Sequence, residues 1–160
     1  MIKNQPPVSI ILQQKNIPHQ VFIHPGPLHS LEHAAKERSQ SPEQIVRSIL
    51  FRVSKGNYVM VLIAGPEQIN WKILRNKLGE NRLTMASEDQ VLSVTGYPLG
   101  AVAPFGLLQP IKIFVDQSIL QQQIISMGSG VRGIAIILKS ADLLKALGDY
   151  QIGDFRNSSI

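Results

Sequence analysis

The chain has 160 residues, of which 44% are hydrophobic, 17% are charged and none is cysteine. This length and apolar content predict one domain with its own core, and the lack of cysteine excludes disulfides, thiolate nucleophiles and cysteine-based metal sites. No apolar run approaches the roughly 18 residues of a membrane span, and the first residues lack an apolar signal core, so we expect a cytoplasmic protein with no membrane partner.

The net charge of +5 comes from one third of the chain. Between Lys36 and Arg82 there are nine Lys or Arg and four Glu, whereas the opposite charges balance elsewhere. If these basic side chains share one face, that face would attract a polyanion such as nucleic acid. An ordinary solvated surface explains the charge equally well.

Short elements separated by Pro and Gly follow one another in the first third of the chain. In chain order, the patterns predict a helix with Val8, Ile11 and Leu12 on one face, a strand over residues 19–24, a helix from an N-cap at Ser30 to Arg38, and a second helix that begins at Ser41-Pro42. Arg47 would lie in the last turn of this second helix.

The rest of the chain predicts a mixed sheet with peripheral helices. In chain order come a hairpin of strands 49–53 and 58–64, a helix over 71–78 capped by Asn70, a short strand over 82–85, a helix over 88–94 capped by Ser87, strands over 111–115, 124–126 and 133–138, and a helix over 141–147. Strand 58–64 is apolar throughout, as a central strand would be. The last dozen residues are polar and are expected to fray.

Familiar catalytic and metal-binding patterns are weak in this sequence. His29 and His33 are spaced four apart, but an N-cap at Ser30 places His29 before the helix, which disfavours a metal site. His24, at a strand end, is the histidine expected to line a pocket. No Gly-x-Ser-x-Gly elbow exists. The G-x-G-x-x-G spacing that begins at Gly128-Ser129-Gly130 resembles a phosphate-binding loop, but no helix follows it. It therefore predicts a tight turn.

The most informative segment runs from Thr95 to Gly106 and contains three Gly and two Pro. Glycine lets a backbone approach a ligand closely and proline fixes the chain direction, so such a loop can line a site with main-chain N–H and C=O groups. Taken alone, this composition favours an ordinary connection between a helix and a strand.

The loop Gly100-Ala101-Val102-Ala103-Pro104, followed by Phe105-Gly106, resembles the Gly-x-x-x-Pro loop of the YbaK family, editing domains related to the insertion domain of bacterial prolyl-tRNA synthetase. Seven ordered matches extend over residues 8–147; besides the loop they are His24-Pro25, Glu32-His33-Ala34-Ala35, residues 44–50, residues 113–116, Ser126-Met127-Gly128 and residues 141–144. Such an ordered set is far more specific than one motif.

The resemblance implies an α/β domain of the α+β type over residues 8–147, followed by a polar C-terminal tail over residues 148–160. Its mixed, mostly antiparallel sheet would have six to seven strands, curl toward a barrel and be flanked by helices. The implied activity is hydrolysis, in trans, of the ester that joins an amino acid to the 3′ end of mischarged tRNA, tRNA-Pro above all. No cofactor and no metal are implied.

The resemblance also implies which residues form the site. Catalysis would use Arg47 and the loop residues Gly100, Ala101, Val102, Ala103 and Pro104, whose backbone would hold the aminoacyl group and the attacking water while the terminal ribose hydroxyl assists. Substrate would also contact His24, Ser48, Phe105, Ser126 and Gly128. The acceptor end of the tRNA would meet Arg52, Lys55, Lys72 and Arg75. Backbone dipoles can stabilise developing charge, so no covalent nucleophile is required.

Arg47 departs from the family pattern, which usually has lysine in this position. Arginine keeps the positive charge and can bind phosphate in a bidentate manner, but it does not lose its proton to act as a base. The substitution leaves open a catalytically weak relative that binds tRNA or an aminoacyl-tRNA synthetase. A third hypothesis, a peptide- or protein-binding module, rests only on the Gly/Pro-rich loop.

Overall fold

The computed structural model describes residues 5–157. The helices are α1 (Pro7–Gln14), α2 (Leu31–Glu37), α3 (Trp71–Leu78), α4 (Glu88–Thr95) and α5 (Ser140–Leu147). The strands are β1 (Gln20–Ile23), β2 (Val46–Arg52), β3 (Tyr58–Ala64), β4 (Thr84–Met85), β5 (Lys112–Asp116), β6 (Ile124–Gly128), β7 (Ile134–Lys139) and β8 (Gln151–Gly153). Within residues 5–157, no helix has both the length and the apolar character needed to cross a bilayer.

The strands form two open sheets, with the orders β1-β7-β6 and β4-β2-β3-β5-β8. Pairing is antiparallel except between β3 and β5 and between β5 and β8, and an isolated bridge between Ile45 and Ser126 connects the sheets. The mixed, mostly antiparallel α+β character is therefore confirmed. The expected single sheet curled toward a barrel is wrong, because apolar runs identify strands without revealing which edges pair.

Two apolar clusters lie on opposite faces of the five-stranded sheet. The first contains Val46, Leu50 and Val102 together with residues of the three-stranded sheet, α1, α4 and α5. The second contains Phe51 and Leu74, and thus lies between the sheet and α3. Side chains alternate along a strand, so even-numbered residues of β2 face the first cluster and odd-numbered residues face the second.

The predicted hairpin and most predicted helices are confirmed. β2 and β3 pair in register from Val46–Ala64 to Arg52–Tyr58, and β3 is central and almost entirely buried. The Asn70 side chain accepts hydrogen bonds from two amides of α3, and Ser30 and Ser87 cap α2 and α4. Local capping chemistry was sufficient to locate these helices.

The prediction of a helix that begins at Ser41-Pro42 is wrong. A single 3-10 turn, Pro42–Gln44, is followed at once by β2, so Arg47 lies on a strand. The Gln44 side chain does accept a hydrogen bond from the Ser41 amide over 2.9 Å, but the β-branched and aromatic residues after it favour strand, and pairing with β3 decides the outcome.

The C-terminal segment is ordered as far as it is described, in contrast to the frayed tail that its polarity predicts. β8 pairs with β5, and Phe155 is buried against the ring of Phe114, with ring centroids 6.2 Å apart. The Phe155 amide donates to Asp116 Oδ1 over 2.7 Å. One buried aromatic residue, the pairing of β8 with β5 and one hydrogen bond to a buried carboxylate therefore attach a polar segment to the sheet.

Candidate functional site

A cavity of about 240 Å³ lies at the junction of the two sheets. The N-terminal half of β2, the β6–β7 connection and three residues of the Gly/Pro-rich loop, Leu99, Gly100 and Val102, contribute to its walls. Most of the wall is apolar, through Leu28, Ile45, Val46, Leu99, Met127 and Ile134. The polar residues on the wall are His24, Arg38, Arg47 and Ser48.

The loop is held in place by hydrogen bonds at both ends. Gly100 adopts φ +87°, which favours glycine. The Gly130 amide donates to Ala101 O over 2.9 Å, and the Tyr97 hydroxyl donates to Phe105 O over 2.5 Å. These contacts fix the backbone before any ligand arrives, as a preorganised site requires.

Only the first part of the loop lines the cavity. Gly100 and Val102 stand on the wall, whereas Ala101 and Ala103 are fully buried and Phe105 belongs to the first apolar cluster. Pro104 is buried too, beside a different surface depression. The structure thus separates the loop into a cavity-lining segment and a segment that anchors it in the core.

Gly128 makes the closest approach to the loop. A β-carbon at this position would lie 2.8 Å from the Ala101 carbonyl carbon and 2.9 Å from its oxygen, and closer still to Val102 O. Such distances are not available to a real side chain, so only glycine fits while the loop keeps its path. The sequence suggested Gly128 through the family resemblance, and the structure gives it a steric reason.

A chain of polar contacts stands behind one wall of the cavity. Arg38 Nε donates to His24 Nε2 over 3.0 Å, so the proton of the neutral His24 ring lies on Nδ1, which donates to Glu37 Oε1 over 2.6 Å. Glu37 Oε2 is 3.0 Å from His33 Nε2. The His24 side chain has no exposed surface, so this chain fixes its tautomer and orientation.

Arg38 is also held on its other side. Its Nη1 donates to Ser126 Oγ over 2.8 Å, and Ser126, which is fully buried, donates to Gln40 Oε1 over 2.7 Å. Ser126 therefore supports Arg38 from behind the cavity wall. The sequence predicted direct contact between Ser126 and substrate; in the structure, Ser126 contacts Arg38, which lines the cavity.

Burial and neighbouring charge shift two ionisable groups here. Burial lowers the pKa of the Arg38 guanidinium to about 10, and the Glu37 carboxylate opposes that shift. Arg38 remains a cation at neutral pH. The hydrogen bond from His24 lowers the pKa of the Glu37 carboxyl below its ordinary value of 4.5, so the carboxylate persists in mildly acidic solution.

Arg47 contributes to the cavity wall, but its guanidinium is engaged elsewhere. Nε donates to Gly65 O over 2.9 Å, and Nη2 donates to Glu67 O. The odd-numbered residues of β2 face the second apolar cluster, on the side away from the loop. Burial lowers the pKa of the Arg47 guanidinium. Arg47 therefore ties β2 to the turn that follows β3.

Ser48 is next to Arg47 on β2, and its side chain has the opposite direction. It lines the cavity. Its Oγ is buried and is the polar side-chain atom that finds no hydrogen-bond partner among the described residues. A buried hydroxyl without a partner costs roughly 1–3 kcal/mol, and such a group therefore calls for an explanation.

The basic residues assigned to tRNA are not gathered at the cavity. Lys72 and Arg75 lie on α3, which packs behind the five-stranded sheet. Arg52 ends β2, about 20 Å along the strand from Val46. The side chain of Lys55 lies outside the described part of the structure. An exposed cation beside the cavity is Arg132, whose Nε donates to Leu99 O over 2.8 Å and whose Nη2 lies 3.7 Å from Glu88 Oε1.

Sequence patterns did not identify Arg38 as a site residue. It marked only the end of a predicted helix, and its partner Ser126 is 88 residues away. A contact of this separation leaves no local spacing signal. His29 and His33 stack, with ring centroids 5.2 Å apart, and among residues 5–157 no group of three or more His, Cys, Asp or Glu could hold a metal ion.

Residues 25–146 match the family described as the aminoacyl-tRNA editing domain. Over 129 residues the chain is 26% identical to the prolyl-tRNA editing protein ProX of Acetoanaerobium sticklandii, covering 78% of this chain and 79% of ProX. It is 37% identical over 92 residues to the proline–tRNA ligase of Kosmotoga olearia, covering 58% of this chain but only 16% of the ligase.

A solved structure described as a candidate trans-editing enzyme for prolyl-tRNA synthetase has the same fold. It superposes with a TM-score of 0.88 at 22% sequence identity and covers 99% of this chain and 100% of that chain. The family match covers most of the chain and agrees with the fold. The protein therefore belongs to the YbaK family of aminoacyl-tRNA editing domains, a family related to prolyl-tRNA editing.

Proposed function

We propose that this protein hydrolyses mischarged aminoacyl-tRNA in trans, in the cytoplasm, with mischarged tRNA-Pro as the first class of substrate. The carrying observation is the cavity of about 240 Å³ whose wall contains Gly100 and Val102 of the Gly-x-x-x-Pro loop. Family membership supports this assignment. The proposed occupant is the aminoacyl group at the acceptor end of the tRNA.

The reaction needs one water molecule and no cofactor. Water attacks the ester carbonyl carbon, the bond from that carbon to the terminal ribose oxygen breaks, and a proton from the water ends on the ribose oxygen. The products are the free amino acid and tRNA with an intact 3′ end. Developing negative charge on the carbonyl oxygen is the feature that an enzyme must stabilise.

We assign this stabilisation to the amides of Gly100 and Val102. Both residues line the cavity, whereas the Ala101 amide already donates to Pro98 O over 3.1 Å. The hydrogen bonds that hold the loop keep the amides in place, and a single well-placed donor of this kind contributes about 3–4 kcal/mol to catalysis in other hydrolases.

A deacylation panel tests the proposal. Purified protein is incubated with tRNA-Pro charged with several wrong amino acids, with correctly charged tRNA-Pro, and with other aminoacyl-tRNAs. We expect enzyme-dependent release of at least one wrong amino acid from tRNA-Pro. If every substrate stays intact at rates no faster than buffer, the proposed function is wrong.

A matched pair of glycine variants links the activity to the loop. Gly100 and Gly79 both have positive φ, +87° and +68°, and a β-carbon on either would meet no atom within 4 Å. Gly100→Ala should lower the deacylation rate at least about tenfold. Gly79→Ala, at the end of α3, should show similar backbone strain in a melting experiment but keep the wild-type rate.

The second candidate function is a catalytically weak relative that binds tRNA or a synthetase. Arg47, in place of the family's usual lysine, is the observation that favours it, since its guanidinium binds the carbonyl oxygens of Gly65 and Glu67. Under this hypothesis, binding of tRNA would persist while hydrolysis stays near background.

Exchange of the basic residue separates the two candidates. A large gain in hydrolysis by Arg47→Lys would indicate that the native protein is not adapted as an enzyme. If the native protein is an enzyme, the variant should be no faster, and it should lose about 1 kcal/mol of stability because one amine cannot reproduce the two guanidinium bonds. Arg52→Lys, at the exposed end of the same strand, is the control for a change of arginine to lysine.

A further inference from the structure

Arg38 carries more hydrogen-bond donors than the protein uses. A guanidinium has five N–H groups. Among the described residues, Arg38 donates one of them to His24 and one to Ser126. Three N–H groups therefore have no protein partner within residues 5–157. Arg38 lines the cavity, so these donors are available to whatever the cavity holds.

The position of this guanidinium is fixed without a ligand. His24 and Ser126, its two partners, have fully buried side chains, and each is held by a further contact, to Glu37 and to Gln40. An arginine clamped in this way loses little side-chain freedom when it binds, which favours selective recognition. The cavity side of the wall is mostly apolar, so a ligand that meets the guanidinium is shielded from water and its hydrogen bonds are strengthened.

Ser48 supplies a second unsatisfied polar group on the same wall. Its Oγ has no partner among the described residues, and rotation about χ1 moves a serine hydroxyl among three staggered positions, one of which a ligand in the cavity can recruit. Two unused polar groups on a mostly apolar wall, whose other polar residues His24 and Arg47 are already hydrogen-bonded, resemble the usual design of small-molecule sites, in which a few polar groups determine orientation and specificity.

We propose that Arg38, assisted by Ser48, reads the side chain of the aminoacyl group and selects one that carries an acceptor oxygen over its apolar isostere. The accepted class comprises carboxylate, carboxamide and hydroxyl side chains. This inference rests on the proposed function, because it takes the aminoacyl group as the occupant of the cavity. Arg38 is thereby a specificity-determining residue.

A phosphate of the tRNA is a less suitable partner for Arg38. An internucleotide phosphate is flanked by nucleosides on both sides, whereas the aminoacyl group is terminal and can enter a cavity of about 240 Å³ alone. The Arg132 side chain, 62% exposed beside Leu99, is better placed for a phosphate outside. Arg38 would therefore bind the aminoacyl group, and Arg132 would bind a phosphate of the same tRNA.

Isosteric aminoacyl pairs on one tRNA provide the test. The same tRNA is charged with threonine or valine, and with asparagine or leucine, and kcat/KM for deacylation is measured for each. We expect the oxygen-bearing member to be preferred at least about tenfold, because a site built for a hydrogen bond is left unsatisfied by the apolar isostere. In Arg38→Met, the preference should vanish or reverse.

Two control variants keep the test independent of folding. Ser48→Ala removes a hydroxyl that has no hydrogen-bond partner in the described part of the chain, so the unfolding free energy of the variant should equal or exceed that of wild type, while the preference falls severalfold. Arg132→Met should slow both members of each pair by the same factor and leave their ratio unchanged. Aspartyl-tRNA in the same assay shows whether a carboxylate is favoured over the neutral oxygens.

The outcomes separate this inference from the proposed function. Hydrolysis of both members of each pair at equal kcat/KM, with a ratio unchanged in Arg38→Met and Ser48→Ala, overturns the inference and leaves the proposed function standing. A wild-type protein that hydrolyses none of these substrates, and does not bind amide-linked 3′-threonyl- or valyl-adenosine, overturns both. A ratio that moves equally in Arg132→Met would also contradict the assignment to Arg38.

Discussion

Gly128 and the Gly100–Pro104 loop share a contact that leaves no room for a side-chain atom. The β-carbon of any other residue would overlap the carbonyl groups of Ala101 and Val102, which are backbone atoms in a loop that is tethered at both ends. Because backbone cannot rotate aside as a flexible side chain does, a methyl group here must displace the loop itself.

We expect Gly128→Ala to reduce deacylation strongly and to cost about 1–3 kcal/mol of stability, as overpacking does elsewhere. Deacylation kinetics and urea unfolding measure the two effects. Gly26→Ala is the matched control, since a β-carbon at Gly26 meets no atom within 4 Å and its φ is not positive. Wild-type activity in Gly128→Ala would contradict the role given to this contact.

The His24–Glu37 contact predicts how stability depends on pH. Because the pKa of Glu37 is lower in the folded protein than its ordinary value of 4.5, the unfolded chain binds the proton more readily. The stabilising contribution is therefore complete above pH 4.5 and is lost as pH falls through the lower folded pKa.

We expect Glu37→Gln to flatten the acid limb of the stability curve while leaving the shape unchanged between neutral pH and pH 5. Urea unfolding at a series of pH values, with wild type and variant side by side, measures this. Glu43→Gln, which alters a neighbouring glutamate outside the network, should keep the wild-type acid limb. Parallel curves for wild type and Glu37→Gln would refute the assignment.

At the scale of elements, β8 and the residues after it complete the five-stranded sheet. Besides the pairing of β8 with β5, the Asn70 amide donates to Phe155 O over 2.6 Å, and Arg156 Nε is 3.4 Å from the buried Asp116 carboxylate. The segment thus joins α3 to β5 on the face opposite the loop.

We expect Phe155→Ala to destabilise the protein by about 3–5 kcal/mol, because it empties a fully buried aromatic site. Ile152→Ala, on the same segment but 39% exposed, should cost less than about 1 kcal/mol. Thermal and urea unfolding compare the pair. Equal, small effects would mean that the C-terminal segment contributes little to the fold.

For the molecule as a whole, the basic third of the chain is divided between the cavity, which Arg38 and Arg47 line, and the face behind the five-stranded sheet, where α3 lies. β2 and β3 carry their odd and even residues to opposite faces, and α3 covers the face behind the loop. Lys72 therefore lies behind the sheet, whereas Arg132 lies beside the loop at Leu99. A linear count of charge could not distinguish these two surfaces.

We expect Arg132→Gln to weaken tRNA binding and to reduce the slope of log K against log salt by about 0.7–0.9, the value for one phosphate contact. Lys72→Gln should leave the slope unchanged. Fluorescence anisotropy with labelled tRNA over a salt series provides the measurement. A reduced slope in Lys72→Gln alone would place the tRNA on the face of α3, as the charge distribution first suggested.

The sequence by itself determined the family, the α+β class and most elements, because these depend on local or ordered signals. Caps at Ser30, Asn70 and Ser87 begin helices through hydrogen bonds to the next few amides, and the apolar run 58–64 suits a central strand wherever it is placed. The Gly-x-x-x-Pro loop was likewise recognisable from the sequence, because it is an ordered local motif.

Only the tertiary structure decided which side chains meet. Arg38 joins Ser126 across 88 residues, and Gly128 meets Ala101 because two sheets pack together. Arg47 and Ser48 are neighbours in sequence and both border the cavity, but the alternation of a strand sends their side chains to opposite faces. The Arg47 guanidinium therefore binds the turn after β3, whereas the Ser48 hydroxyl finds no partner among the described residues. Local spacing carries no record of such contacts, since packing of distant elements creates them.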